Sequence, residues 1–321
     1  MTCVICTLFE RHYHFGLAAF VNTICSSGFR GTIYAGYRGP LPPWAGAAQT
    51  QANGHAVLEV TPDVRLIFVP LETTAHLANY KPTFLLQVEA LMPPDTEAVI
   101  YADPDLLFEG KWKFIVDWLS CGLAVCEDIN SPMAENHPAR VGWRRSFHAL
   151  GHNLRFRTNT YANSGFIGYT RANRGFVPVW KEFLAYIAEQ LGGDDVAGIV
   201  GGKRIKRTEV TGFGDCFAQP DQDAFNAVLE ACPDIPLSFL GPEAMGFRGR
   251  RAILPHSVGF FKPWTRPFLK HAYEGRAPTL VDKTYWNRVN GPLRPYTAAQ
   301  IASAKWRLRL AAAVGRFYRR N

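Results

Sequence analysis

The chain has 321 residues, 47% of them hydrophobic and 19% charged, a composition that excludes a disordered protein and supplies a full apolar core. Its net charge is +8, but Lys305, Arg307, Arg309, Arg316, Arg319 and Arg320 all fall in the last 25 residues, which contain no acid. The remainder carries about +2, which argues against a globally basic nucleic-acid binder and for one local anionic contact.

The seven cysteines are odd in number and scattered over apolar segments, which favours a reduced compartment, and Cys3-x-x-Cys6 reads as two small buried hydrophobes. The first residues run straight into an apolar strand, so no secretory signal is expected. No window is long and apolar enough to cross a bilayer. Neither a linker nor a low-complexity run divides the chain, which predicts one large domain.

In chain order, residues 4–8 predict a strand, 15–27 an amphipathic helix stopped by Gly28, and 31–35 a second strand. This β-α-β opening predicts a right-handed crossover and a parallel sheet. A turn-rich loop covers 36–43. Residues 64–69 predict a strand, 82–91 a helix, 98–101 a strand, 112–119 a helix and 122–126 a strand. The alternation makes the fold α/β, with ligands expected beyond the carboxyl ends of the strands.

The apolar run at 98–101 ends in Asp103-Pro104-Asp105. Period-two geometry points both carboxylates to one side, and two oxygen ligands at a strand end suit a hard cation, Mg²⁺ or Mn²⁺, whose shell is commonly completed by substrate phosphates. Such a pair also occurs in ordinary surface turns. Residues 127–160 lose apolar periodicity and are rich in His, Arg and Asn, as in a lid, a binding loop or an insertion with its own small helix. The irregular spacing of His137, His148 and His152 does not suit a metal site.

A polar turn, Asn163-Ser164-Gly165, then leads into an apolar strand, and 175–191 predict a helix with one core-facing stripe. Residues 192–207 read as a Gly-rich surface loop, and no G-x-G-x-x-G occurs anywhere. Asp221-Gln222-Asp223 crowd the first turn of a predicted helix at 220–229, where acids also cap the helix dipole. Residues 253–264 read as a strand end followed by a turn that carries both His256 and Lys262.

Taken in order, the β-α-β opening, Tyr-x-Asp103-x-Asp105, Asn163-Ser-Gly, Asp221-Gln-Asp223 and His256-x-x-Gly259-x-x-Lys262-Pro263-Trp264 resemble the GT-A glycosyltransferases. More narrowly they resemble glycosyltransferase family 8, the glycogenin-like and bacterial lipopolysaccharide hexosyltransferases. The resemblance covers about residues 1–270 and implies a Rossmann-like catalytic domain with a mixed, mostly parallel sheet. Its nucleotide-binding half would lie at about 1–108 and its sugar and acceptor half at about 109–270, with an extension at 271–321. It further implies retaining transfer of a hexose from a nucleotide diphosphate sugar, UDP-glucose or UDP-galactose, to a glycan or glycolipid.

By the same resemblance, Asp103, Asp105 and His256 hold Mn²⁺ or Mg²⁺, while Lys262, Gly259, Lys81, Asn163 and Thr7 bind the donor. Asp221 binds sugar hydroxyls, Gln222 lies on the sugar face opposite the leaving group, and Asp223 supports it. The segment after the first strand departs from the family pattern: Thr7, Phe9 and Tyr13 stand where related enzymes read uracil. A non-catalytic nucleotide-sugar-binding protein on a degenerate transferase scaffold stays open as the alternative. A nucleotidyltransferase would require a glycine-rich phosphate loop near the first strand, which the sequence lacks.

The proline-free stretch 297–320 predicts a basic amphipathic helix, with Lys305, Arg309, Arg316 and Arg320 on one face and Trp306, Leu310, Ala313, Val314 and Phe317 on another. That pattern suits a peripheral helix lying on an anionic membrane, with the cytoplasmic inner face of a bacterial membrane as the expected location. Docking on the catalytic domain is the other reading.

Overall fold

A computed structural model describes residues 1–191, 199–200, 203–204, 216–249 and 251–317. Its strands are β1 (Cys3–Glu10), β2 (Gly31–Arg38), β3 (Gln49–Thr50), β4 (Ala56–Thr61), β5 (Val64–Pro70), β6 (Ala98–Ala102), β7 (Leu123–Glu127), β8 (Ala162–Thr170), β9 (Ile199–Val200), β10 (Lys203–Arg204) and β11 (Leu237–Leu240). The helices are α1 (His14–Ser27), α2 (Lys81–Leu91), α3 (Trp112–Leu119), α4 (Pro138–His148), α5 (Phe176–Leu191), α6 (Pro220–Ala231), α7 (Phe268–Tyr273), α8 (Leu280–Arg288) and α9 (Ala298–Phe317). The fold is α/β, compatible with a Rossmann-like arrangement. Two compact units interleave along the chain: the first takes residues 1–8, 71–102 and 116–241, the second 9–70, 103–115 and 242–321.

In the first unit the strand order is β11-β7-β8-β6-β1. β1 pairs parallel with β6 and β11 parallel with β7, whereas β8 runs antiparallel to both β6 and β7. The sheet is therefore mixed, as expected, with β8 the strand of this unit that departs from parallel pairing. The chain enters β8 from a long excursion after β7 and returns in the opposite sense between two parallel strands. β6 is buried along its whole length, which explains its unbroken apolar run, and β8 is buried along all but its last residue, Asn163 and Ser164 included. α5 packs on α6 through Trp180 and Phe225, whose ring centroids lie 5.0 Å apart.

The excursion at 128–161 carries α4, which has Pro138 at its first turn. Apolar periodicity does not reveal this helix because part of its inward face is charged. Arg140 pairs with the buried Glu230 of α6 and donates to the carbonyls of Met133 and Thr158, both at 3.0 Å. Trp143 and Phe147 fill the rest of the contact, with Phe147 stacked on Phe183. Of the Gly-rich stretch, only the antiparallel pair β9 and β10 is described; its other residues lie outside the described ones.

The second unit orders its strands β2-β5-β4-β3, with β2 parallel to β5 and the others antiparallel. α1 ends at Gly28, whose φ of 92° is the left-handed cap that glycine adopts without strain. Asn22, buried within α1, donates to the Leu293 carbonyl and accepts from its N–H, both at 2.9 Å. α9 is docked: Leu308 and Ala311 join Phe268, Ala272, Tyr285, Trp286 and Val289, with Ile301, Ala304 and Val314 alongside. Of the outward stripe expected from the sequence, Trp306 and Leu310 are exposed and Val314 packs inward. The Phe317 side chain, Arg319 and Arg320 lie outside the described residues. No helix among the described residues is long and apolar enough to cross a membrane.

Candidate metal centre and polar cluster

The acid pair sits in the second unit, immediately after β6 in the chain. Asp103-Pro104-Asp105-Leu106 forms a turn closed by the Leu106 N–H on the Asp103 carbonyl at 3.1 Å. The strand end expected near 253 is absent. Instead, loop backbone is laced to the acid segment: Glu109 N–H to Ile253 O at 2.8 Å, Leu107 N–H to Pro255 O at 2.9 Å and Ser257 N–H to Asp105 O at 3.1 Å. A single bridge pairs Leu106 with His256. This lacing delivers an imidazole to carboxylates about 150 residues away in the chain.

The His256 Nε2 lies 3.3 Å from Asp105 Oδ1 and 3.9 Å from Asp103 Oδ2, and the three ligand atoms lie within 4.8 Å of one another. Lys262 Nζ is 2.5 Å from Asp105 Oδ2 and from the Ser257 carbonyl. Asp105 thus gives one oxygen to an ammonium and turns the other toward His256. Burial pushes its pKa up, but Lys262 and His256 outweigh that effect and hold the carboxyl well below the usual carboxylate range. Burial alone would lower the Lys262 pKa; Asp105 overrides it and raises the value.

Two carboxylates, one of them buried and deprotonated, together with a converging imidazole nitrogen, fit a divalent cation. The His256 Nδ1 is buried, and none of the described residues gives it the hydrogen bond that usually orients a ligating imidazole.

Gly259, with φ 88°, makes the turn that brings Lys262 back over the acids. Trp264 packs 5.9 Å from Tyr13 and donates to His12 Nδ1 at 2.8 Å. Tyr13, which stands where related enzymes read uracil, has its ring 5.7 Å from the Lys262 ammonium. Phe9 is buried against Tyr37 and Phe68 and has no face free to stack on a base. Gly16 is required by close approach: a Cβ there would lie 2.3 Å from the Pro104 carbonyl oxygen.

Of the remaining predicted residues, Lys81, Asn163, Asp221, Gln222 and Asp223 gather in the first unit, where β8, α2 and α6 meet, while Thr7 stays on β1. Lys81 Nζ bonds Asp221 Oδ2 at 3.0 Å and the Ser164 hydroxyl and carbonyl at 3.2 Å. The Ser164 hydroxyl also donates to Asp221 at 2.7 Å. Burial raises the Asp221 pKa, yet Lys81 and Ser164 prevail and lower it.

Gln222 accepts from the Ser164 N–H at 3.1 Å and donates to Gln219 at 2.9 Å. Asp223 accepts from the Tyr161 hydroxyl at 2.7 Å and from the Gln219 N–H at 2.8 Å, so capping is part of its role. Asn163 donates to Asp128 at 2.6 Å and accepts from the Gly165 N–H. Thr7 is fully buried, its hydroxyl without a hydrogen-bond partner among the described residues.

Sequence reasoning missed Ser164, Asp128, Tyr161 and Asn226. Ser164 and Tyr161 lay in or beside a motif already singled out. Asp128 and Asn226 gave no local signal, because their partners, Asn163 and the backbone of Ala162, are distant in the chain. The histidines at 137 and 148 join no metal cluster among the described residues, and His152 pairs with Glu182 at 3.0 Å. No protein-family model matches the chain, and no curated protein matches it.

Proposed function

We propose that the chain is a metal-dependent retaining glycosyltransferase that moves a hexose from a nucleotide diphosphate sugar, UDP-glucose or UDP-galactose, to a glycan or glycolipid such as a bacterial surface polysaccharide or lipopolysaccharide. The observation that carries this reading is the convergence of Asp103, Asp105 and His256 beside the buried Lys262 ammonium. Asp103, Asp105 and His256 would hold Mn²⁺ or Mg²⁺, which when bound supplies positive charge to a departing diphosphate. Lys262 stays protonated at neutral pH because Asp105 raises its pKa, so it offers a second, fixed positive charge to the same anion. The Gly259 turn leaves open backbone where phosphate oxygens would approach.

Lys81, Asn163 and Asp221 are assigned to the donor by the resemblance, and Gln222 and Asp223 to the transferred sugar. The Gln222 carboxamide is neutral and bonded through both its oxygen and its nitrogen, which makes it a poor nucleophile. Same-face attack, with the leaving phosphate accepting the acceptor's proton, therefore suits these residues better than a covalent sugar-enzyme intermediate. The test is a panel of nucleotide sugars, with and without Mn²⁺, read as release of free nucleotide. Metal-dependent release from one donor, lost in Asp105→Asn, is expected. No release from any donor, with no thermal stabilisation by any nucleotide and metal, would overturn the transferase reading in favour of a degenerate scaffold.

A further inference from the structure

Lys262 stands in the segment 257–267, which is neither helix nor strand, so no ladder of backbone bonds fixes its ammonium over Asp105. Packing does not hold the tip of this turn, since Phe260 is 89% exposed. Side chains hold its backbone instead. The Arg266 Nη2 donates to the Phe261 carbonyl at 2.8 Å, and the Trp286 Nε1 donates to the Pro263 carbonyl at 3.1 Å. Between them, the Lys262 N–H donates to the Thr265 hydroxyl at 3.1 Å and the Thr265 N–H to the Lys262 carbonyl at 2.9 Å.

Two of these supports lead to α8, which lies beyond the part of the chain that the glycosyltransferase resemblance covers. Trp286 belongs to α8 and is buried. The Arg266 Nη1 pairs with Asp282 Oδ2 at 3.1 Å, and Asp282, fully buried in the first turn of α8, accepts from the Thr279 N–H and hydroxyl, both at 2.8 Å. The Thr279 and Asp282 pair caps the helix by itself, so the cap does not call for a guanidinium. Arg266 Nε and Asp282 Oδ1 are moreover buried without hydrogen-bond partners among the described residues, a placement that costs free energy. The planar fork of Arg266 accounts for it, because a guanidinium grips a carboxylate on a helix and a carbonyl on a turn at once. We infer that Arg266, Asp282 and Trp286 are positioning residues, through which α8 sets the 261–263 backbone and keeps the Lys262 ammonium over Asp105. Joined to the transferase reading, on which this consequence rests, the C-terminal extension governs the fixed positive charge that meets the departing diphosphate.

The experiment is acetylation of the full chain by acetic anhydride, read at Lys262 by peptide mass spectrometry against the exposed Lys111 and Lys181. Buried and paired with Asp105, Lys262 should be modified far more slowly than either. Arg266→Lys keeps a charge for Asp282 but cannot also reach the Phe261 carbonyl, so the Lys262 rate should rise on the order of tenfold. Asp282→Asn keeps the side-chain volume and an acceptor for Thr279 but loses the ion pair, and should raise the rate roughly threefold to tenfold. Nucleotide release should fall by about the same factors. Leu66→Ala, which opens a cavity under β5 instead, should lower the unfolding temperature and leave the Lys262 rate unchanged.

A Lys262 rate unmoved by Arg266→Lys and Asp282→Asn would overturn the inference. So would an equal rise in Leu66→Ala, which would reduce the effect to general loss of stability. If either of the first two variants does not fold, Trp286→Phe, which removes the bond to Pro263 and keeps a ring, takes its place with the same expectation. Faster labelling of the variants of a chain that releases nucleotide from no donor upholds the brace and removes only the transferase reading. Nucleotide release by the unaltered chain, with the Lys262 rate the same in every variant, does the reverse.

Discussion

The two polar clusters use similar side chains to different ends. Around Asp105 in the second unit, two carboxylates and an imidazole turn toward one another, with a single ammonium on one oxygen. At the junction of β8 and α6 in the first unit, Gln222, Asp223 and Asn163 are bonded to Ser164, Tyr161, Gln219, Gly165 and Asp128. Two carboxylates that converge with an imidazole invite a cation; acceptors matched to protein donors are held in place by the fold. The contrast shows that a polar motif's composition does not say whether its atoms face a ligand or one another.

Substitutions sharpen this contrast, the largest effect first. Asp103→Asn and Asp105→Asn should each lower metal-dependent nucleotide release on the order of a thousandfold. Both should abolish the rise in unfolding temperature that Mn²⁺ gives. Asp103 is the cleaner probe: its side chain is 23% exposed and it is farther from His256 than Asp105 is. A normal metal response in both variants would break the comparison.

In the other cluster, Asp223→Ala should cost about 1–3 kcal/mol for each polar group it orphans, the Tyr161 hydroxyl and the Gln219 N–H, measured by urea unfolding. Its Mn²⁺ response should be unchanged. If Asp223→Ala kept full stability, its bonds to Tyr161 and Gln219 would contribute nothing to the fold.

Gly16→Ala places a methyl against the Pro104 carbonyl and Trp264, and overpacking of this kind costs about 1–3 kcal/mol. Because Pro104 lies between the two acids, Mn²⁺ affinity should fall together with thermal stability. Loss of stability at full affinity would uncouple α1 from the metal centre.

The smallest effect concerns pH. The Asp221 pKa is lowered in the folded state, so its contribution to stability is present above the unfolded value near about 4 and disappears as pH falls through the folded value. Asp221→Asn should flatten that part of the acid limb in urea titrations between about pH 2 and pH 5. An unchanged acid limb would mean that Lys81 does not stabilise the carboxylate.

Much of this was legible locally. The extents of β1, α1, α2, β6, α3 and α6 follow from apolar runs, a glycine stop and prolines at first turns, signals that need only neighbouring residues. Other features required distant partners. α4 could be read only as one alternative, a small helix somewhere in an insertion, because Arg140 is buried against Glu230 rather than solvated, a pairing 90 residues apart in the chain. The inner face of α9 was misjudged because Leu308 and Ala311 become core residues only where α7 and α8 supply the other half.

The sequence by itself determined an α/β chain, the acids at 103 and 105 after a buried run, and an imidazole and an ammonium six residues apart, because strand period and turn chemistry act over a few residues. Tertiary structure alone decided that β8 runs against its neighbours, that His256 meets Asp105, and that Asp223 is bonded within the first unit while Asp105 converges with Asp103 and His256. Those outcomes depend on which backbone groups find partners across the chain, and pairing at that range leaves no periodic trace in the residues that make it.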